Sequence, residues 1–391
     1  MSPRLLFVNH SGVLGGGELS LLDIVRHFRG TSRVVVFEDG PFREGLTQAG
    51  VDVQVLGGGD AIRKVVREGG LMQDLKSIPW VLGLSWRLAQ LARDFDLLYA
   101  NSQKSMIVAA LAGVIARKPV VWHLRDLMTR DHFSPTHCRL VAAFANLLTT
   151  RVIANSEATR AALLEIGVRS DRVATVYNGV DPAPFLRVTP REAAEMRVAL
   201  GLAGVPVVGV FSRLASWKGQ HILLDALRGL PGVHALIVGS PLFQEDHAYE
   251  EALRQKARQP DLVGRVHFLG FRRDIPQLMQ VVDVVVHTSV LPEPFGRVIV
   301  EGMLARKPVV AMRGGGALEI IEPGKTGCLV PPEDPSSLSA VLDRLLRDGG
   351  YAESLASAAQ EAALGDFSVE RMLQALDGQI HQVTSRKGVH R

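Results

Sequence analysis

The chain has 391 residues, of which 47% are hydrophobic and 21% charged, and its formal net charge is +4. This is the composition of an ordinary globular protein, and it excludes disordered, fibrous and disulfide-scaffold proteins. At about 100 to 200 residues per domain, the length predicts two domains. The two cysteines, Cys138 and Cys328, lie far apart and match no metal-ligand spacing, which indicates a reduced intracellular protein and excludes a zinc site built from cysteine.

The first half alternates short β-rich runs with helical patterns. Helices are predicted, for example, over residues 18–28, 102–116 and 157–166. Strands that alternate with helices imply parallel βαβ units whose strands are buried on both faces. The first half therefore predicts one doubly wound α/β domain. Its predicted strands are residues 5–8, 34–37, 51–55, 97–99, 120–122, 152–154 and 173–176.

A proline-rich stretch, residues 182–191, follows the first series and is predicted to interrupt regular structure, so the domain boundary is placed there. A second α/β series then begins, and a helical pattern extends from about residue 366 to residue 383. We expect an N-terminal domain at 1–182, a C-terminal domain at 183–365, and a last helix in 366–391 that crosses back to the N-terminal domain. The strands predicted for the second series are residues 207–211, 234–238, 266–268, 282–287, 309–311 and 328–330.

Two such domains in tandem predict a ligand held in the crevice at the carboxyl ends of their strands. After the strand 207–211 come Arg213 and Lys218, two cations five residues apart on a strand-to-helix loop. They stand where a phosphate would bind near the positive end of a helix. A surface loop with two solvated cations is the alternative.

Two glutamates follow the strand 282–287. Glu293 lies in the loop, and Glu301 lies about one and a half turns into a helix that begins near Gly296. A carboxylate so placed can accept hydrogen bonds from vicinal hydroxyls such as those of ribose. The alternative is a loop carboxylate and an exposed helical glutamate.

Glycine-rich turns precede a helix in both halves, at residues 15–17 and 314–316. Glycines there let backbone N–H groups approach a phosphate. Neither turn has the GxGxxG spacing of dinucleotide folds, and no GxxxxGK[ST] motif is present. A hydride-transferring dehydrogenase and NTPase chemistry are therefore disfavoured.

Together these motifs resemble the retaining nucleotide-sugar glycosyltransferases of family four, also called group 1, which have the GT-B architecture. Their order and spacing agree over nearly the full chain. The matching residues are the GGxE turn at 16–18, His123, Asn155 with Ser156, NGVD at 178–181, Arg213, Lys218 with Gly219, Glu293, Phe295 with Gly296, Glu301, GGxxE at 315–319 and the motif at 324–335.

The resemblance implies two Rossmann-like doubly wound parallel-sheet domains that face each other across a cleft. It also implies that Arg213 and Lys218 neutralise the donor diphosphate and that Glu301 binds ribose. The sugar to be transferred would contact Glu293 and the backbone of Phe295 and Gly296.

Further roles follow from the same resemblance. The turns at Gly16 with Gly17, and at Gly315 with Gly316, would offer N–H groups to the phosphates. His123 would lie beneath the donor sugar, with a histidine that caps a strand end as the alternative. Arg272 lies in the loop near which the nucleobase usually rests. The candidate catalytic residues are thus Arg213, Lys218, His123 and Glu293.

The family usually needs no bound metal, and we expect neither a metal nor a cofactor, only a nucleoside-diphosphate sugar as donor substrate. The Asp94-Phe95-Asp96 string matches the metal motif of the other major glycosyltransferase architecture, but it lies at a helix-to-strand junction, where aspartate serves turns. The chain has Glu-Pro-Phe-Gly at residues 293–296, where the family usually has Glu-Gly-Phe-Gly, so the family's donor sugar is not carried over.

The sequence therefore predicts a retaining hexosyltransferase that moves a sugar from a nucleoside-diphosphate sugar to a glycan or lipid-linked acceptor, in polysaccharide or glycolipid biosynthesis. Two alternatives stay open. One is a nucleotide-sugar epimerase of the same fold, and the other is a non-catalytic homologue that binds the nucleotide sugar.

Charge and hydropathy also predict where the chain acts. Polar Asn9 and His10 interrupt the N-terminal apolar run, and the run at residues 106–116 is shorter than the 20 or so that span a bilayer, so we expect a cytoplasmic protein without a signal peptide. Residues 61–93 carry six basic and two acidic residues among bulky apolar ones. This mixture predicts either a solvated helix face or peripheral contact with the inner membrane surface. No nucleic-acid-binding motif accompanies it, so we expect no nucleic acid.

Overall fold

The computed structural model describes residues 3–57, 71–129 and 133–385, and for residues 71–77 the backbone alone. The chain divides into two compact units. Unit 1 comprises Met1–Gly179 with Val369–Arg391, and unit 2 comprises Val180–Ser368. The boundaries expected from the sequence, after residues 182 and 365, lie three residues from those of the units.

Unit 1 is built on a seven-stranded parallel sheet of order β3-β2-β1-β4-β5-β6-β7. Strand β1 lies between β2 and β4, with Leu5 level with Ser32 on one side and with Leu97 on the other. Every predicted strand of the first half is present, with ends shifted by at most two residues. The strands are β1 (Leu5–Asn9), β2 (Ser32–Val36), β3 (Asp52–Val55), β4 (Leu97–Ala100), β5 (Val120–Leu124), β6 (Arg151–Ala154) and β7 (Val173–Thr175).

Helices cover both faces of this sheet, which is why its inner strands are apolar along their whole length. One face packs on α3, α4 and α5, and the other packs on α1 and α2. The first six helices are α1 (Gly16–His27), α2 (Pro41–Gln48), α3 (Leu71–Ala92), α4 (Gln103–Ala116), α5 (Pro135–Leu148) and α6 (Glu157–Glu165).

Unit 2 is built on a six-stranded parallel sheet of order β10-β9-β8-β11-β12-β13. The predicted strands of the second half are again all present, and three have the predicted ends. The strands are β8 (Val207–Phe211), β9 (His234–Val238), β10 (Val266–Gly270), β11 (Val284–His287), β12 (Val309–Met312) and β13 (Cys328–Val330).

The helices of unit 2 correct one expectation. The proline-rich stretch does not interrupt regular structure, because α7 lies within it and Pro190 opens α8 in the first turn, where proline's missing N–H has no partner to lose. These helices are α7 (Ala183–Leu186), α8 (Pro190–Ala199), α9 (Gln220–Ala226), α10 (Asp246–Ala257), α11 (Ile275–Val281), α12 (Arg297–Leu304), α13 (Ala317–Ile320), α14 (Pro335–Arg347) and α15 (Gly349–Asp366).

The last helix, α16 (Val369–Ser385), belongs to unit 1 rather than unit 2. One side of it is apolar and carries Met372, Leu376, Ile380 and Val383, all of which are buried with the β1 and α1 side of the first sheet. The spacing of four, four and three residues places these side chains on one helix face. Unit 1 therefore completes its core with residues from the far end of the chain.

Across the part of the chain that the structure describes, none of the helices combines the length and the hydropathy that a membrane-spanning helix requires.

Candidate functional site

The loop after β8 places Arg213 between two aromatic rings. The guanidinium carbon of Arg213 lies 5.2 Å from the ring centre of Trp217 and 5.1 Å from that of Phe243. The ammonium of Lys218 lies 4.3 Å from the ring centre of the same Trp217. The aromatic rings orient both cations, so that Arg213 and Lys218 both lie over one indole.

Lys218 is joined to Glu293 across two loops of unit 2. Its Nζ lies 2.6 Å from Glu293 Oε1, and the two side chains are only 14% and 13% exposed. His287 Nε2 lies 2.7 Å from the same oxygen, and the hydroxyl of Ser289 donates to it as well. One carboxylate oxygen thus collects three partners, which fixes the ammonium of Lys218 and the loop after β11 together.

The charge of Glu293 is stable in this setting. Burial is the largest single influence and favours the neutral acid, but the positive charge of Lys218 and the contacts of His287 outweigh it. The pKa of Glu293 is therefore held well below 4.5, its ordinary value. The side chain is a carboxylate at neutral pH and an acceptor rather than a proton donor.

The glycine-rich turn after β12 packs backbone against backbone on the Glu293 loop. A Cβ at Gly315, where φ is +53°, or at Gly316 would overlap the carbonyl oxygens of Glu293 and Phe295 respectively. The N–H of Gly316 donates to the Glu293 carbonyl at 2.9 Å. Donation of this N–H to a phosphate stays a prediction, and it requires that hydrogen bond to break.

The predicted ribose ligand stands at the start of α12. Gly296 precedes the helix with φ +103°, a conformation that favours glycine, and Phe295 is buried edge-on against Phe367 with ring centres 5.7 Å apart. Glu301 lies one turn into the helix, and its Oε1 accepts a hydrogen bond from Nε of Arg297 at 2.9 Å. The carboxylate of Glu301 is thus oriented by its own helix.

Arg272 is engaged elsewhere in unit 2. Its Nε donates to Asp274 Oδ1 at 2.8 Å, and its Nη2 donates to the second oxygen of the same carboxylate. This pairing lowers the pKa of Asp274 and ties Arg272 to its own loop. The structure links Lys218, Glu293 and the glycine turn by direct contact, whereas no described contact joins Arg272 to them.

In unit 1, His123 is buried inside β5 rather than just after it, which corrects the predicted end of this strand. Its Nδ1 is hydrogen-bonded to the hydroxyl of Tyr99, and its Nε2 is buried with no hydrogen-bond partner among the described residues. Burial, assisted by the charge of Arg125, lowers the pKa of His123 well below 6.5, and burial raises the pKa of Tyr99. Both groups are therefore neutral at pH 7.

The hydrogen bond fixes which imidazole nitrogen carries the proton. If Tyr99 donates to Nδ1, only one buried group, the Nε2 proton of His123, lacks a partner. If Nδ1 donates instead, both the tyrosine proton and the Nε2 lone pair are unpaired. Buried polar groups without partners are costly, so the first arrangement is favoured and Nε2–H is a donor held ready for an incoming acceptor.

The turn at Gly16 and Gly17 opens α1 and borders a polar cluster. The carbonyl of Gly17 accepts a hydrogen bond from Asn101 at 3.3 Å. Glu18, the third residue of the helix, accepts hydrogen bonds from Asn9 and from the N–H of Gly15. Burial, the largest influence, raises the pKa of Glu18 despite these hydrogen bonds.

Arg125 organises this cluster and was not among the predicted site residues. Its Nε donates to Asn101 Oδ1 at 3.1 Å, and its Nη1 donates to Ser20 at 2.8 Å and to Asn178. The sequence does offer a signal for it, because Arg125 stands two residues after His123 in the loop that leaves β5. Tyr99, Trp217, Phe243 and His287 were missed too, and no local spacing marks them.

No group of three or more potential metal-ligating His, Cys, Asp or Glu side chains occurs within the described ranges.

Comparisons with known proteins identify the family and the fold. The model of the family "Glycosyl transferases group 1" matches residues 193–362, and that of "Glycosyltransferase Family 4" matches residues 14–184. Among solved structures, Anabaena HepE in complex with UDP and glucose superimposes with a TM-score of 0.88 and 40% identity, covering 97% of this chain and 99% of that one. HepE has also been solved with UDP-glucose.

Curated relatives match over shorter stretches. Spore coat protein SA of Bacillus subtilis is 33% identical over 214 residues, which are 52% of this chain and 56% of the relative. The lipopolysaccharide core biosynthesis glycosyltransferase LpsE of Rhizobium meliloti is 31% identical over 44% of this chain and 49% of its own length. The chain thus spans about half the length of these two relatives.

The two family models between them cover most of the chain, and the fold is that of HepE along nearly its whole length. The chain belongs to the group 1 and family 4 glycosyltransferases and has their GT-B fold.

Proposed function

We propose that the chain transfers a sugar, with retention of its anomeric configuration, from a nucleoside-diphosphate sugar to a glycan or lipid-linked acceptor. The observation that carries the proposal is the pair of cations held about Trp217. The guanidinium of Arg213 lies between two rings, and Lys218 is fixed by the buried carboxylate of Glu293. We infer that these two cations, held at fixed positions after β8, receive the diphosphate of the donor.

The chemistry follows from where charge develops. Cleavage of the glycosidic bond leaves a nucleoside diphosphate with additional negative charge, and cations fixed at that position stabilise the transition state more than the ground state. Arg213 and Lys218 are the candidate catalytic residues for this step. We name no general base, and we expect the reaction to need no metal.

The remaining candidate residues hold the sugar and the nucleoside. Glu301 would accept hydrogen bonds from the ribose hydroxyls, and Glu293 would contact the transferred sugar through the Oε2 that its three donors leave open. His123 would donate Nε2–H to a sugar oxygen. Because HepE has been solved with UDP and with UDP-glucose, we propose a uridine diphosphate sugar as the donor.

The first experiment is a thermal-shift panel of nucleoside diphosphates and their sugars in EDTA. A ligand at 100 times its Kd stabilises the native state by about 2.7 kcal/mol. UDP or a UDP-sugar should raise the Tm of the wild type, and Arg213→Ala with Lys218→Ala should lose most of this increase. The matched control is Arg254→Ala with Lys256→Ala, which also removes an arginine over a ring and a lysine paired with a carboxylate in unit 2.

The outcomes separate the alternatives. Equal loss in both double variants, or no increase for any nucleotide at millimolar concentration, contradicts the donor site. Binding without transfer to any acceptor assigns the chain to the non-catalytic homologues. Isomerisation of the donor without an acceptor indicates an epimerase. Proton NMR of the first glycoside formed measures the anomeric configuration, and inversion there contradicts retention.

We also propose that unit 1 contacts the inner membrane surface. Residues 61–70 of the segment that first suggested this lie outside the described residues. On α3, however, Ile78, Leu82 and Trp86 are 47%, 51% and 57% exposed. They follow one another at intervals of four residues and form one apolar stripe, with Arg87 exposed beside it. Apolar side chains next to cations suit an anionic lipid surface.

Neighbouring helices extend this surface. Helix α3 packs on α4, and α4 packs on α5. Val114 and Ile115 near the end of α4 and Leu147 near the end of α5 are exposed as well. The sequences of the three helices contain one acidic residue, Asp74, against four basic ones. These three helices thus combine exposed apolar side chains with an excess of basic residues.

Flotation with vesicles that contain phosphatidylglycerol tests this contact. Leu82→Glu with Trp86→Glu should reduce the bound fraction by about tenfold or more, because about 55 Å² of lost apolar burial suffices for that factor. Val263→Glu, at an exposed apolar position of unit 2, is the control. If the wild type fails to float, or if the control variant loses as much binding, the membrane contact is wrong.

A further inference from the structure

A pocket of about 420 Å³ lies in unit 1 at the amino ends of its strands. The residues that line it lie just before or at the start of β1, β2, β3 and β4. The parallel register of these four strands places their first residues side by side. His123 lies in the carboxyl-terminal part of β5, and the α1 turn follows β1, so the pocket lies at the opposite end of the strands from the candidate residues of unit 1. The residues that line it are Arg4, Arg29, Gly30, Thr31, Ser32, Arg33, Gly50, Val51, Asp52 and Phe95.

The lining of this pocket is strongly positive. Arg4, Arg29 and Arg33 face a single lining carboxylate, that of Asp52. Arg33 donates its Nε–H to Asp52 at 2.7 Å, which uses one of its five N–H donors. The guanidinium of Arg4 lies over the ring of Phe95, 5.3 Å from its centre, while its backbone N–H donates to the exposed Asp96. Three guanidinium groups and one carboxylate give the lining a net charge of +2.

Of the three arginines, Arg29 has the fewest contacts to its guanidinium group. It is exposed, and its guanidinium has neither a carboxylate nor a carbonyl partner within the described residues. It passes beside Gly50, where a Cβ would lie 3.7 Å from its Nη1. Helices α1 and α2 both end at this edge of the sheet, yet Arg29 hydrogen-bonds to none of their described carbonyls. Compensation of helix carbonyls therefore does not account for its position.

We propose that this pocket binds a small phosphate monoester, with the phosphate held by Arg29 and Arg33. The planar guanidinium fork matches phosphate oxygens in geometry as well as charge. The volume falls in the range of small-molecule sites, about 300 to 1,000 Å³, so the pocket has room for an organic group besides the phosphate. The site is separate from the proposed donor site and does not depend on it.

The test uses inorganic phosphate and glucose 6-phosphate as probes at constant ionic strength. The protein carries Arg213→Ala and Lys218→Ala, so that the proposed donor site does not bind them. Amide NMR signals of Gly30 and Gly50 are followed during titration. Both probes should give saturable shifts, and glucose 6-phosphate should bind about tenfold more tightly since it fills more of the pocket.

Two variants of that protein decide the assignment. Arg29→Gln should weaken both probes by about tenfold or more, because it removes a charge-assisted contact. Arg26→Gln removes the same charge one turn earlier in the chain, from an arginine near Asp23 that does not line the pocket, and should change affinity less than about twofold. Equal weakening by the two, or the absence of saturable shifts, overturns the proposal.

A vesicle arm separates a soluble ligand from a lipid headgroup. Flotation with phosphatidic acid vesicles should be the same for the wild type and for Arg29→Gln if the ligand is a soluble monoester. A loss of flotation in Arg29→Gln equal to that of Leu82→Glu with Trp86→Glu would assign the pocket to a lipid phosphate and overturn the proposal of a soluble ligand.

Discussion

The carboxylate of Glu293 determines both the position of Lys218 and a share of the stability of unit 2. We predict that Glu293→Gln lowers the free energy of unfolding by about 3 kcal/mol at pH 7, since it leaves a buried ammonium without its charge partner. The pKa of Glu293 is lowered in the folded state, so its contribution is present above the unfolded value near 4.5 and is lost as pH falls toward the folded one.

Urea unfolding of the wild type and of Glu293→Gln, from pH 7 down to pH 3, checks this prediction. The difference in unfolding free energy should shrink below about pH 5, because only the wild type takes up a proton at this site. Ser240→Ala, which removes a hydroxyl in the loop after β9, serves as the control. A difference that stays constant with pH would show that Glu293 is not a carboxylate held by Lys218.

Tyr99 controls the proton of His123. We predict that Tyr99→Phe lowers kcat/KM by about tenfold while the protein stays folded, because the free imidazole can then place its proton on either nitrogen. The ¹⁵N NMR shifts of His123 should show one tautomer, with the proton on Nε2, in the wild type and a mixture in the variant. If the variant keeps the wild-type tautomer and loses activity all the same, Tyr99 does not act through the imidazole proton.

The sequence predicted individual site residues but not the residues that they contact. Lys218 and Glu293 each stood out in a motif, yet their contact joins positions 75 residues apart, and the same holds for Tyr99 and His123, 24 apart. Such pairs are created by strand order in the sheet. Local spacing carries no information about them, which is why His287, Phe243 and Tyr99 were missed.

Among the elements, the turn between β12 and α13 has no room for side chains at Gly315 and Gly316. We predict that Gly316→Ala abolishes nucleotide-dependent stabilisation, because its Cβ would overlap the Phe295 carbonyl and displace the loop that holds Glu293. Gly314→Ala is the matched control, since its Cβ would meet Pro292 at an ordinary 3.5 Å. The Tm increase with UDP measures both variants. If Gly316→Ala and Gly314→Ala both keep the full increase in Tm, the turn before α13 does not position the Glu293 loop.

The positions of the strands and helices could be predicted best from the sequence. Short β-rich runs that alternate with helical patterns, such as the valines of β11, mark strands that are buried on both faces, and the thirteen strands of the described residues were all predicted from such runs. Proline misled the prediction at residues 182–191, since a proline in the first turn of a helix loses no hydrogen bond. The end of β5 was placed too early because His123, a polar residue, was assumed to follow the strand.

For the whole molecule, the two units should unfold as separate cores, and α16 should belong energetically to unit 1. We predict that Leu376→Ala lowers the stability of unit 1 by about 2 to 5 kcal/mol, the usual cost of truncating a buried leucine, and leaves unit 2 unchanged. Hydrogen exchange measured on peptides of β1 and β8 distinguishes the two units. Leu338→Ala, buried in unit 2, should give the opposite result.

The tandem α/β architecture could be predicted from the alternation of elements, since each half repeats the same pattern. The polar cluster around Arg125 could not, because it gathers residues from β1, α1 and the segments after β4 and β7. Its members are dispersed over more than 150 positions of sequence, and only the folded sheet brings them within hydrogen-bonding distance.

The return of α16 to unit 1 has a consequence for the order of synthesis. A ribosome makes the chain from its first residue, so every residue of unit 2 emerges while unit 1 still lacks Met372, Leu376 and Ile380. Unit 2 is one continuous segment and can fold as soon as it is complete. Unit 1, although translated first, finishes last, and until then it exposes an apolar groove between α1 and the sheet that a chaperone would recognise.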